Sequence, residues 1–195
     1  MKTTIIKTIT VILPALSIMF FTRCADNSTK EKDPVEKAED RNDAKFNKVA
    51  EKDAQALVDA YTGSLYELKV AETAKIKATS QEAKDLAVTM VDGHTGLNEQ
   101  MRTLAAKKQI SLPADLSPEQ SDKVVEMNEE KGIKYDKDFA SLMVDNHKDA
   151  IDIYGKYSMD CTDAEIKSWF AATVPALQNH LDMAMTSKEK IDKMK

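Results

Sequence analysis

The sequence predicts an all-α protein, a four-helix bundle whose second and third long helices are joined by a crossover segment carrying a short helix. Three observations predict it. Glycine and proline number five each among 195 residues, and 31% of residues are charged, a composition that suits long amphipathic helices. Apolar residues recur three and four apart along four long segments. No alternating apolar–polar run of strand length stands between turn residues.

Residues 1–23, "MKTTIIKTITVILPALSIMFFTR", place two lysines before an apolar run that holds Pro14 and is short for a membrane span. The segment reads as an export signal. Cys24 closes it, as in lipoprotein signals, where the thiol is acylated and the chain is cut just before it. Arg23 departs from the small residue usual there. An ordinary signal peptide with an incidental cysteine and an uncleaved anchor are the alternatives. All three put the remaining chain outside the cytoplasm. The expectation is a periplasmic lipoprotein held to a membrane, outer rather than inner, through Cys24. Removing residues 1–23 takes away Lys2, Lys7 and Arg23 and shifts the formal charge from −5 to −8. An acidic chain without a basic stripe argues against nucleic acid as a partner. No motif names a protein partner.

Residues 24–48 are polar and of mixed charge, and are predicted to form a disordered tether. Cys161 is the only other cysteine. It is either a lone buried thiol or the disulfide partner of Cys24.

The bundle is predicted over residues 49–192. A first long helix, about 50–78, meets no breaker except Gly63. Thr79-Ser80 then caps a second, with Glu82 and Asp85 suited to its positive first turn, running to about 109. "ISLPADLSPEQ" is a loop, and Ser117-Pro118 starts a short helix that stops at Lys131-Gly132. A third long helix covers about 133–159. A fourth, capped by Thr162, covers about 162–191 and contains Pro175. The crossover is long enough to traverse the bundle, so the second and third long helices run parallel, as in ferritin-like bundles.

The phrase "KDLAVTMVDGH" (84–94) returns as "KDFASLMVDNH" (137–147), and each copy ends on histidine. His94, His147 and His180 are the only histidines, one on each apolar stripe of the last three long helices. Counting roughly 1.5 Å per residue from the predicted ends puts His94 and His147 at one level, roughly 21 Å down. The same count puts His180 roughly 9 Å nearer that end. Glu67 of the first helix falls between these levels on a stripe of small residues. Glu72 is its fallback, on a stripe of large residues that includes Val58, Tyr61, Leu65, Leu68 and Ile76.

Three imidazoles and a carboxylate suit one zinc, iron or copper ion. Met90, Met143 and Met183 stand at neighbouring stripe positions, where thioethers can add ligands for cuprous copper. Equally, one histidine per helix can be a core hydrogen-bonding residue. Residues three before the histidines are Val91, Val144 and Leu177. The Glu-x-x-His motifs of di-iron oxidases are therefore absent, and no nucleophile or phosphate-loop motif occurs. Asp92 and Asp145 fall on the opposite side of their helices from the histidines, toward solvent. The expectation is a protein without catalytic residues.

Within roughly residues 50–190, three elements occur in order: Met-Val-x-x-His, the same again, then Pro-x-Leu-x-x-His in "VPALQNHLDMA". With "GSLYELKVAETAKIKATSQEAKDLAVTMVDGH" and "KYDKDFASLMVDNHKDAIDIY" they resemble the bacterial domain-of-unknown-function family 4142, whose members are often labelled membrane or outer-membrane proteins. The resemblance implies a ferritin-like bundle and export, and no established activity. It matches the family's helical glutamate to Glu67 and its Tyr/Phe-Asp pair to Tyr135-Asp136. Where the family usually has Asp before the first two histidines, this chain has Gly93 and Asn146. "MVDNHKDAIDIY" also resembles an exported family of His/Met helical proteins linked to copper handling, which carry paired histidines where this chain has one. Two functions follow: a metal-binding envelope lipoprotein, or a non-enzymatic structural or partner-binding module of the envelope.

Overall fold

Six helices make up residues 32–195, the part of the chain that the computed structural model describes. They are α1 (Pro34–Asp43), α2 (Lys48–Lys77), α3 (Gln81–Lys108), α4 (Pro118–Met127), α5 (Gly132–Asp160) and α6 (Ala164–Asp192). The described residues contain no strand. The export signal and Cys24 lie outside them. No helix of the described residues is long and apolar enough to cross a membrane.

Local chemistry sets the ends. Ser80 Oγ accepts the Ala83 N–H at the start of α3, and α3 ends on Gln109 in the left-handed region at φ 58°. Ser117 and Gln120 form a reciprocal capping box on α4. Asn47 Oδ1 accepts the Val49 and Ala50 N–H groups of α2. Asp163, rather than the expected Thr162, caps α6 by accepting from Glu165 and Ile166. Thr162 is used elsewhere, as described below.

The tether reading fails over residues 34–43, which form α1. Asp33 accepts the Val35 N–H, and Pro34 takes the first turn, where its missing donor costs nothing. The helix is held by side chains that composition does not reveal. Asn42 is buried and bonds the Ser111 backbone in both directions, at 3.0 and 2.7 Å. Gln55 of α2 donates to Glu39 at 2.7 Å.

Two carboxylates fix the topology. Asp136, near the start of α5, is fully buried. It accepts from Thr79 N (3.0 Å), Thr79 Oγ1 (2.9 Å) and Ser80 N (2.6 Å) in the α2–α3 turn. Asp53, near the start of α2, accepts from Thr162 N (2.9 Å), Thr162 Oγ1 (2.7 Å) and Asp163 N (2.7 Å) in the α5–α6 turn. Each helical hairpin thus caps the turn of the other. The start of α5 lies beside the start of α3, so these helices run the same way, with the crossover and α4 between them. Removing Asp136 strands three donors in a dry site. Asp136→Ala is expected to lower stability by about 3 kcal/mol or more, read as a shifted urea midpoint.

The core has two storeys. One holds Leu57, Tyr61, Leu97, Met101, Phe170 and Leu177. The other holds Val70, Met90, Tyr135, Phe139, Met143 and Ile191. Between them each long helix contributes one ionisable residue. Glu67 falls between Leu65 and Val70, His94 between Met90 and Leu97, His147 between Val144 and Tyr154, and His180 between Leu177 and Leu181. The helical bundle therefore carries a layer of ionisable side chains between its two apolar storeys.

Candidate metal centre

Helix α2 supplies Glu67 from its small-residue stripe. Ala60, Ser64, Ala71, Ala74 and Ala78 on that stripe are all buried, so α2 approaches its neighbours closely there. The large-residue stripe turns outward along the second half of the helix. Ile76 is 89% exposed, and Glu72 is exposed beside Lys69 at 3.3 Å. Glu72 is thus excluded from the cluster. Large residues do not mark the inner face where short side chains let helices close up.

The three imidazoles meet. Ring centroids are 5.4 Å apart for His94–His147, 5.6 Å for His94–His180 and 5.4 Å for His147–His180. One ligand-capable nitrogen from each lies within 4.8 Å of the others. The roughly 9 Å offset expected for His180 is absent. One reason is Gly93. A Cβ there would stand 2.3 Å from His180 Cε1 and 2.4 Å from Nε2. His180 rests against α3 backbone in space that any other residue would fill.

Each ligand candidate keeps an unsatisfied buried atom. Glu67 Oε2 stands 2.8 Å from His94 Nε2, out of hydrogen-bond alignment, and 3.5 Å from His147 Nδ1. His94 Nδ1 is 2.9 Å from Ser64 Oγ, and His147 Nδ1 donates to the Met143 carbonyl at 2.8 Å. Those bonds use one ring nitrogen and leave the other. His94 Nε2, His147 Nε2, His180 Nδ1 and Glu67 Oε2 are all buried without a hydrogen-bond partner. Such orphans are rare in folded interiors and costly in an apolar one. An imidazole held at one nitrogen with its other lone pair turned inward is the arrangement of a metal ligand with its supporting bond.

The charges are coupled. Burial raises the Glu67 carboxyl, but the facing imidazoles, His94 foremost, more than offset it and hold it below the ordinary carboxylate value. Burial lowers His147, with Glu67 opposing and His94 adding. Burial, then His94 and His147, push His180 down to about 4, against the pull of Glu67. The last two imidazoles are neutral at pH 7, the form that coordinates metal.

Met90 and Met143 are fully buried one turn before their histidines, whereas Met183 is 39% exposed and outside the cluster. Asp92 and Asp145 face solvent as expected. Sequence reasoning passed over Ser64, which supports His94, and Asn98, one turn beyond His94. Asn98 is 1% exposed and unpartnered at both ends of its amide. A hydrophilic residue at a core position on the His94 stripe was the available signal. Among the described residues Cys161 is a buried free thiol, pushed up to about 12 by burial and the neighbouring Asp53.

The geometry suits one small cation. A tetrahedral ion with bonds of ~2.0–2.1 Å holds its donors roughly 3.4 Å apart. The histidine nitrogens, up to 4.8 Å apart, need close by at most about 1.4 Å to reach that.

Residues 38–186 match the family model described as "Domain of unknown function (DUF4142)". No curated protein and no solved structure matches the chain.

Proposed function

The chain belongs to the DUF4142 family, and we propose that this member binds one transition-metal dication through His94, His147, His180 and Glu67. The reading continues to the whole protein: a ferritin-like bundle, exported and lipid-anchored through Cys24 to the periplasmic face of a membrane, the outer one in preference, where it holds or buffers zinc, iron or copper. The observation that carries it is the meeting of three imidazoles from three helices, one nitrogen of each within 4.8 Å of the others, with Glu67 Oε2 of a fourth helix 2.8 Å from His94 Nε2. Three imidazoles and one carboxylate form a borderline donor set that suits these metals and disfavours calcium or magnesium. Export and acylation rest on the apolar run that ends at Cys24.

The competing reading treats the histidines as core hydrogen-bonding residues in a partner-binding module. It is favoured by the His94–Ser64 and His147–Met143 bonds and by the 2.8 Å approach of His94 Nε2 to Glu67 Oε2, but it leaves His147 Nε2 and His180 Nδ1 buried without a partner. Native mass spectrometry of the protein extracted from the cell envelope tests both halves of the proposal together. Lipid mass on a chain starting at Cys24 and one bound metal ion are expected. Protein free of metal, and unable to regain it from a micromolar supply, overturns the metal reading.

The metal-free protein should be sensitive to acid. His180 and His147 are held below the ordinary histidine value of about 6.5. The unfolded chain therefore binds protons at these positions before the folded one does. Stability rises with pH where the unfolded state holds more protons. For His180 it is complete above about 6.5 and is lost as pH falls toward about 4. Glu67, also depressed, adds stability that is lost as pH falls through its folded pKa. Both act in the same direction. Melting temperature should fall continuously from pH 7 to pH 4, and His180→Gln should flatten the upper part of that slope.

A further inference from the structure

A cavity of about 270 Å³ opens between α2 and α5 and reaches the cluster. Ser64, Glu67 and His94 form part of its wall. Glu67 is 5% exposed and His94 2%, and Glu67 Oε2 stands 2.8 Å from His94 Nε2. Asp59 and Asp149, both exposed, line it as well, with Asn146 between solvent and core. No lysine or arginine lines the cavity. Asp59 is held by Tyr157 OH at 2.6 Å and by Gln55 Nε2 at 2.8 Å, neutral donors that fix the carboxylate without cancelling its charge. His147 and His180 are not part of the lining, so an arriving ion meets the Glu67 and His94 side first. Farther along the groove α4 lies over α2: Gln120 bonds the Thr62 carbonyl at 3.3 Å and Lys77 bonds the Asn128 carbonyl.

Resting on the metal-binding reading above, we infer that this cavity is the uptake route for a hydrated divalent cation, which Asp59 and Asp149 draw to its mouth and which Glu67 and His94 take from water. The size fits. Six waters at ~30 Å³ each occupy roughly 180 Å³, within the volume present. The field fits too. Like charges at the mouth of a low-dielectric cleft raise the local concentration of the opposite ion and its association rate. The same carboxylates repel anions, so the ion enters alone rather than as an anionic complex.

Two variants of the full chain, stripped of metal, test the route, with cobalt(II) as the probe and its visible absorption followed by stopped flow. Gly63 lines the cavity, and a Cβ there meets nothing within 4 Å. Gly63→Leu therefore plugs the passage without displacing a ligand. It should slow uptake and release by the same factor, about tenfold, and leave affinity within twofold. The double variant Asp59→Asn/Asp149→Asn should take up cobalt several-fold more slowly at low salt, with the difference vanishing at 0.5 M salt as screening takes over. Wild-type rates in Gly63→Leu, or a double variant as fast as wild type at low salt, overturn the route while leaving the site intact. A wild-type chain that takes up no cobalt overturns the route and the metal reading together.

Discussion

His147→Ala is expected to weaken metal binding by ~100-fold or more. Loss of a group that merely supports a ligand costs ~10–100-fold in affinity, and His147 is the ligand itself. It is fully buried, its Nδ1 is committed to Met143, and its Nε2 is free for coordination. Stability gives a second readout. At a metal concentration ~1,000 times the wild-type dissociation constant, binding should stabilise the wild type by about 4 kcal/mol. A site 100-fold weaker gains about 1.4 kcal/mol at the same concentration. The variant also loses about 2 kcal/mol without metal, because truncation leaves a cavity. The comparison that decides is therefore the metal-induced increment for each protein. Competition against a chromophoric chelator and paired thermal melts supply it. Equal increments in wild type and variant would remove His147 from the ligand set.

Gly93→Ala should damage the site by the opposite route. Alanine favours a helix interior over glycine by about 1 kcal/mol, and nothing in the backbone of α3 opposes it. The new Cβ, however, would occupy the space of His180 Cε1 and Nε2. The imidazole must rotate away, and rotation moves the Nδ1 that is buried without a partner. The expected result is a folded bundle, equal to wild type or slightly more stable without metal, with affinity lower by ~10–100-fold. Gly96→Ala is the control, since a Cβ there meets nothing within 4 Å. Unchanged metal affinity in Gly93→Ala would show that His180 is dispensable.

The parts of the molecule that periodicity controls were legible. The long helices, the capping serines at 80 and 117 and the inward placement of one histidine on each of three helices all follow from spacing and local caps. So does the choice of Glu67, once its small-residue neighbours are seen as a seam of close approach. What failed depended on partners distant in sequence. Residues 34–43 look solvated until Asn42 finds the Ser111 backbone. Thr162 looks like a cap until Asp53 claims it and Asp163 takes the cap instead. Gly93 reads as a gap in a helix or a departure from a family pattern, because the ring that needs its empty space arrives from α6. The height of His180 was misjudged because residue counts measure distance along an axis from a guessed start. They do not measure the reach of a side chain toward the centre.

The crossed carboxylates also bear on the order in which the chain assembles. Each hairpin joins helices that are adjacent in sequence and can form early from local contacts. The bonds of Asp136 to Thr79 span 57 residues, and those of Asp53 to Thr162 span 109. Closing such loops costs entropy that only a nearly complete bundle repays. These two aspartates therefore act after the folding barrier, as clasps that slow opening rather than as nuclei that speed closure. The N–H groups of Thr79, Ser80, Thr162 and Asp163 are each held by the other hairpin. The time for which the finished bundle stays shut is then set at its two ends, each held by a residue of the other half.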